Sequence, residues 1–177
     1  MAVTIKSTSA LELLAGKLNE LKGLIDSGSG GGGGARSYAS FYKSGRGTTS
    51  LNNSKKFLQL DSVKRNSDPS NYTLEADTVT VVEAGDYRVS IDVYLNNSQS
   101  NRTEYSMWLE LNGVEVSGTR WASYQRGYDS GMSSGLNDII ALPAGGSLKI
   151  ACQRTDGSAT AGYQDADGTR LTLERLT

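Results

Sequence analysis

The chain has 177 residues, 37% hydrophobic and 21% charged, with 18 basic and 19 acidic side chains, no histidine and one cysteine. A net charge of −1 lacks the clustered Lys and Arg that phosphate backbones require, so nucleic acid is not an expected partner. The missing histidine removes Ser-His-Asp and Cys-His catalysis, His-bearing zinc sites and the usual neutral-pH base. The lone Cys152 rules out an intrachain disulfide, and no stretch reaches the ~20 apolar residues of a membrane helix.

Residues 1–26 read as a helix. Ser9 followed by Glu12 is a capping-box pattern. Leu11, Leu14, Leu18, Leu21 and Ile25 recur at spacings of 3, 4, 3 and 4, the a/d seam of a coiled coil. Gly16 and Gly23 fall at the outward f position and weaken the helix by about 1 kcal/mol each. So short a helix is marginal alone, and self-association is expected. Leu13 and Leu24 lie off the seam, at c and g, and are expected to anchor the helix on a larger particle. Residues 27–35, Ser-Gly-Ser followed by a run of glycine, form a flexible linker. It decouples the helix from a head at 36–177, long enough for one core.

The head reads as β throughout. In Tyr87-Arg88-Val89-Ser90-Ile91-Asp92-Val93-Tyr94-Leu95 the odd positions are apolar, the period of a half-buried strand. Tyr105, Met107, Leu109 and Leu111 repeat the pattern, as do Leu148, Ile150 and Cys152, then Leu171 and Leu173. Further strands are expected at 36–42, 56–60, 78–83, 114–119 and 136–142. Asp68-Pro69, Gly85-Asp86, Asn96-Asn97, Asn112-Gly113, Gly145-Gly146, Asp156-Gly157 and Asp167-Gly168 are expected turns, and Asn112-Gly113 is the strongest hairpin signal. Many short strands at this spacing make a jelly-roll β-sandwich.

Three segments resemble one family. Gly85-Asp86-Tyr87-Arg88-Val89 resembles the G-x-Y-x-V strand of complement globular heads and tumour necrosis factor-like proteins. Leu142-Pro143-Ala144-Gly145-Gly146-Ser147-Leu148 is similar to that family's L-x-x-G-D-x-L turn, with Gly146 in place of the usual Asp. Gly168-Thr169-Arg170-Leu171-Thr172-Leu173 resembles its last core strand. The resemblance implies a jelly roll of about ten strands, assembled as a homotrimer behind a stalk. A miniature stalk and no secretory signal also resemble the head-fibre, decoration and tail-fibre proteins of tailed bacteriophages.

No cofactor, catalytic group or metal site is expected. Asp165-Ala166-Asp167-Gly168 hints at a calcium loop, but Tyr163 stands where the first ligand should be, and turn chemistry explains the aspartates better. Cys152 reads as a small buried hydrophobe. The sequons at Asn52, Asn71, Asn96 and Asn101 read as polar loops. Trp108 shares its strand face with Glu104, Ser106 and Glu110, and is expected to be covered by a neighbouring subunit or to serve as a ligand platform. The segment from Arg120 to Tyr128 gathers three aromatics, Trp121, Tyr124 and Tyr128, and two arginines, Arg120 and Arg126, able either to bind a cell-surface glycan or protein partner or to pack a trimer. The expectation is therefore a non-enzymatic virion protein, made in the host cytoplasm and displayed on the virion surface. Its helix would hold a capsid or tail protein, as a capsid decoration or head fibre. The alternatives are a tail fibre or receptor-binding protein, or a lectin-like module using Trp121 and Tyr124.

Overall fold

The computed structural model describes residues 36–47, 50–97, 102–126, 131–157 and 162–176. The chain divides into two compact units, Met1–Ala35 and Arg36–Thr177. The first lies outside the described residues. With it lie the expected helix, its seam Leu11, Leu14, Leu18, Leu21 and Ile25, the pair Leu13 and Leu24, and the linker.

Twelve strands are described in the head: β1 (Tyr38–Tyr42), β2 (Lys56–Phe57), β3 (Ser62–Asn66), β4 (Tyr72–Glu75), β5 (Thr78–Val81), β6 (Gly85–Asn97), β7 (Thr103–Leu111), β8 (Val114–Glu115), β9 (Trp121–Gln125), β10 (Met132–Leu142), β11 (Gly146–Gly157) and β12 (Gly162–Arg175). One sheet has the order β10-β6-β12-β1-β3. The other runs β4-β5-β11-β7-β8, with β2 paired to β11 and β9 to β7. The alternation read from the sequence is what builds the core. Tyr87, Val89, Ile91, Val93 and Leu95 of β6 and Leu171 and Leu173 of β12 face Tyr105, Met107 and Leu109 of β7 and Leu148, Ile150 and Cys152 of β11. Burying each such aliphatic side chain is worth roughly 1.5–3 kcal/mol, so a one-residue register slip in any of these strands would be prohibitive.

Several expected strands change length for local reasons. The one over 56–60 shrinks to β2, because Leu60 leaves the ladder and donates its N–H to Asp77 Oδ1 at 3.1 Å. The one over 114–119 shrinks to β8, because Thr119 closes a turn on the Val116 carbonyl with both N–H and hydroxyl, at 3.2 and 2.7 Å. The one over 136–142 starts earlier, at Met132, and β3, β4 and β9 lie where none was expected. Asn96-Asn97 and Asp156-Gly157 fall inside strands rather than turns. Asn112 and Gly113 do form the expected hairpin, at φ 52° and 81°. Ala76 and Asp77 form the same kind of two-residue turn between β4 and β5 without a glycine, at φ 45° and 67°.

Two motif residues acquire reasons. Tyr87 is fully buried at the start of β6, its ring edge-on to Tyr72 at 6.2 Å. Its hydroxyl donates to the Glu83 carbonyl at 2.7 Å and accepts from Asn71 Nδ2 at 3.2 Å. Asn71 is itself buried, its Oδ1 taking the Glu83 N–H at 2.8 Å, so the sequon there is a structural asparagine. At Gly146 a Cβ would come 3.0 Å from the Pro143 carbonyl oxygen and 3.1 Å from Leu111 Cδ1. The usual Asp at this position would have to displace those neighbours.

Candidate functional site

The outward face of the seven-stranded sheet carries the first cluster. Trp108 sits opposite Ala151 of β11, which in turn sits opposite Phe57 of β2. The Arg120 guanidinium lies over the indole, 3.9 Å from a ring centroid. Arg120 is held there by a two-pronged ion pair with Glu115 and by Ser106 Oγ at 3.1 Å. The hydrogen bonds from Arg120 hold the Glu115 carboxyl below its usual range, and those to Glu115 raise the guanidinium. Trp108 Nε1 donates to Glu110 Oε1 at 3.0 Å, and Lys55 Nζ reaches the same oxygen at 2.9 Å. Trp108 is therefore only 4% exposed. The expected cover from a neighbouring subunit is not needed, and the ring face is not open as a platform, because the chain's own arginine occupies it.

The expected pairing of Trp121 with Tyr124 also fails. The two are three apart on β9, so they point to opposite sides of the sheet. Trp121 lies across from Met107, packs on the core and donates its Nε1 to Ser134 Oγ at 3.0 Å. Tyr124 lies across from Glu104 and is 45% exposed. Arg126 is exposed just beyond β9. Tyr128 lies outside the described residues. Cys152 is fully buried, and desolvation pushes its thiol up to about 12, so it is no nucleophile.

The second cluster was not anticipated. Between Gln164 and Thr169, four residues of β12 span what Tyr94 alone spans on β6, a bulge of the larger, special kind. Asp167 sits on it at φ 57°, its N–H donating to the Lys43 carbonyl at 2.8 Å, and Asp165 Oδ1 accepts from the Ala166 N–H at 3.0 Å. The aspartates thus shape a bulge rather than join two strands. A second irregularity shifts β1 against β3 between Ser40 and Phe41. Together they leave an open cavity of about 300 Å³ lined by Tyr42, Lys64, Asp167 and Arg170. Tyr42 and Arg170 are direct cross-strand partners. Among the described residues none of the four side chains forms a hydrogen bond or ion pair, and Arg170 Nε is buried without a partner. The phase of the buried residues, even at Gly162 and Gln164 but odd at Thr169, Leu171 and Leu173, is the trace that this bulge leaves in the strand pattern.

The head has the tumour necrosis factor-like jelly-roll fold. Three crystal structures of murine APRIL, determined at pH 8.5, 5.0 and 8.0, match it with TM-scores of 0.55, 0.53 and 0.52 at 14%, 14% and 13% identity. Each match covers 80% of this chain and 99% of the APRIL chain. No family model and no curated protein sequence matches. At this identity the likeness is one of fold. On the tumour necrosis factor-like frame, the open face of the five-stranded sheet also carries a cross-strand row: Ile139, Arg88, Glu174 and Tyr38. Its centre is a charged triad in which Glu174 pairs with both Arg36 and Arg88. Its ends, Ile139 and Tyr38, are 57% and 39% exposed.

Proposed function

We propose that this chain is a non-enzymatic display protein of a bacteriophage particle, a homotrimeric capsid decoration or head fibre held to the virion by residues 1–26. The observation that carries the reading is a tumour necrosis factor-like head set behind a heptad seam and a polyglycine tether. The row from Ile139 to Tyr38 supports self-association of the head. It offers exposed Ile139 and Tyr38 at its ends, and in its middle an ion-paired triad of net charge +1 that a covering copy would have to desolvate or meet with an acidic group. Two tests separate the parts of the reading. Light scattering on the full chain at micromolar concentration should give three times 18.8 kDa, and Ile139→Lys should lower it. A monomer mass for the unaltered chain would end the trimer reading. Leu13→Lys with Leu24→Lys should leave the oligomer intact but release it from particles. Unchanged occupancy on the particle would end the anchor reading, and label at the tail instead of the capsid would favour a tail fibre.

A further inference from the structure

The cavity between β1, β3 and the β12 bulge places a cation pair, a carboxylate and a phenol around one space and leaves all four without partners among the described residues. Opposite charges sharing a cavity normally pair. Here Asp167 is set on the bulge and forms no ion pair with Lys64 or Arg170, so the space between them is one that a ligand carrying both an anion and hydrogen-bond donors would fill. Arg170 lines the space beside Tyr42, its direct cross-strand partner, so its charge is set at the cavity wall. A simple anion would satisfy the cations but would meet repulsion from Asp167. A neutral sugar would satisfy Asp167 and leave the cations idle. We infer that the cavity binds a carboxylated monosaccharide unit, its carboxylate between Lys64 and Arg170, its hydroxyls donating to Asp167, and its ring against Tyr42. The volume, about 300 Å³, is at the small end of ligand sites and suits one sugar ring.

This gives the proposed display head a ligand class, and it fails separately from the assembly reading, because binding and oligomeric mass are measured on the same sample. The experiment is titration calorimetry on the full chain with methyl glucuronide, methyl glucoside and acetate. The glucuronide should bind with about millimolar affinity and the glucoside about tenfold more weakly. Arg170→Gln and the surface variant Lys64→Gln should each weaken the glucuronide by about tenfold. The deciding variant is Asp167→Asn. Removing a negative charge should strengthen acetate binding, whereas exchanging one charged acceptor oxygen for an N–H donor should weaken the glucuronide relative to acetate. The proposal is overturned if glucuronide and glucoside bind equally or not at all, if Lys64→Gln has no effect, or if Asp167→Asn tightens both anions alike, which would make the cavity a plain anion site.

Discussion

Trp108 and Glu110, two residues apart on β7, hydrogen-bond to each other through Nε1 and Oε1 at 3.0 Å on a sheet face turned away from the core. A carboxylate only 3% exposed depends on such donors, and among the described residues its Oε2 has none. Trp108→Phe keeps an aromatic ring but removes the donor and part of the apolar volume, leaving Glu110 with Lys55. Urea denaturation should show a loss of about 1–3 kcal/mol. An unchanged midpoint would mean that water replaces the indole at no cost.

The Ala76-Asp77 turn sets a Cβ-bearing residue at φ 45°. That conformation costs a non-glycine residue roughly 1 kcal/mol or more. Ala76→Gly should therefore raise stability by about 0.5–1 kcal/mol even after the added freedom of the unfolded chain is charged against it. Asp77→Gly should not, because Asp77 Oδ1 accepts the Leu60 N–H. Equal thermal midpoints for wild type and Ala76→Gly would refute this.

Acid should weaken the fold partly through Asp61. Burial pushes its carboxyl up, but Lys43, the Ser44 N–H and the Ser62 hydroxyl together outweigh that and hold it well below the usual range. Its folded pKa is depressed, so its contribution is complete above the unfolded value of about 3.9 and is lost as pH falls below it. Asp61→Asn should be less stable than wild type at pH 7, and the gap should close below about pH 4. A gap that stays constant with pH would assign the effect to packing.

Alkali should act through Cys152. The folded thiol is held neutral up to about 12, whereas the unfolded thiol ionises above roughly 8.5. The native state thus keeps a proton that the unfolded chain gives up, and stability falls as pH rises from that value. Burial also pushes Tyr105 up to about 12, which adds to the fall at higher pH. Cys152→Ala should flatten the decline between about pH 8.5 and 10. A thiol reagent should label wild type only on unfolding, and rapid labelling of native protein would contradict the burial.

The sandwich was legible because its central strands are long and half-buried: β6, β7 and β11 announce themselves by strict alternation of apolar residues. β3 and β4 were not legible, since Val63 and Leu74 have few apolar neighbours in phase and edge strands need none. β9 was hidden by its own composition, its aromatics and arginines reading as a ligand surface while spacing alone already set Trp121 and Tyr124 on opposite faces. Trp108 misled because a polar strand face was equated with an open one, although Arg120, on the far side of a hairpin, folds back over it. The cavity escaped for a different reason. It arises from a bulge that brings Asp167 and Arg170 beside Tyr42 and Lys64, and no local spacing encodes that meeting.

Arg175 donates its N–H to the Ser37 carbonyl at 2.8 Å, so the chain enters and leaves the head side by side. Tyr42 and the cavity lie at the other end of β1, which is flanked by β12 and β3. A pull between Arg36 and a ligand held at Arg170 of β12 and Lys64 of β3 would pass from β1 into its neighbours through ladder bonds that lie perpendicular to the strand. Those bonds would then be loaded together in shear instead of being peeled one after another.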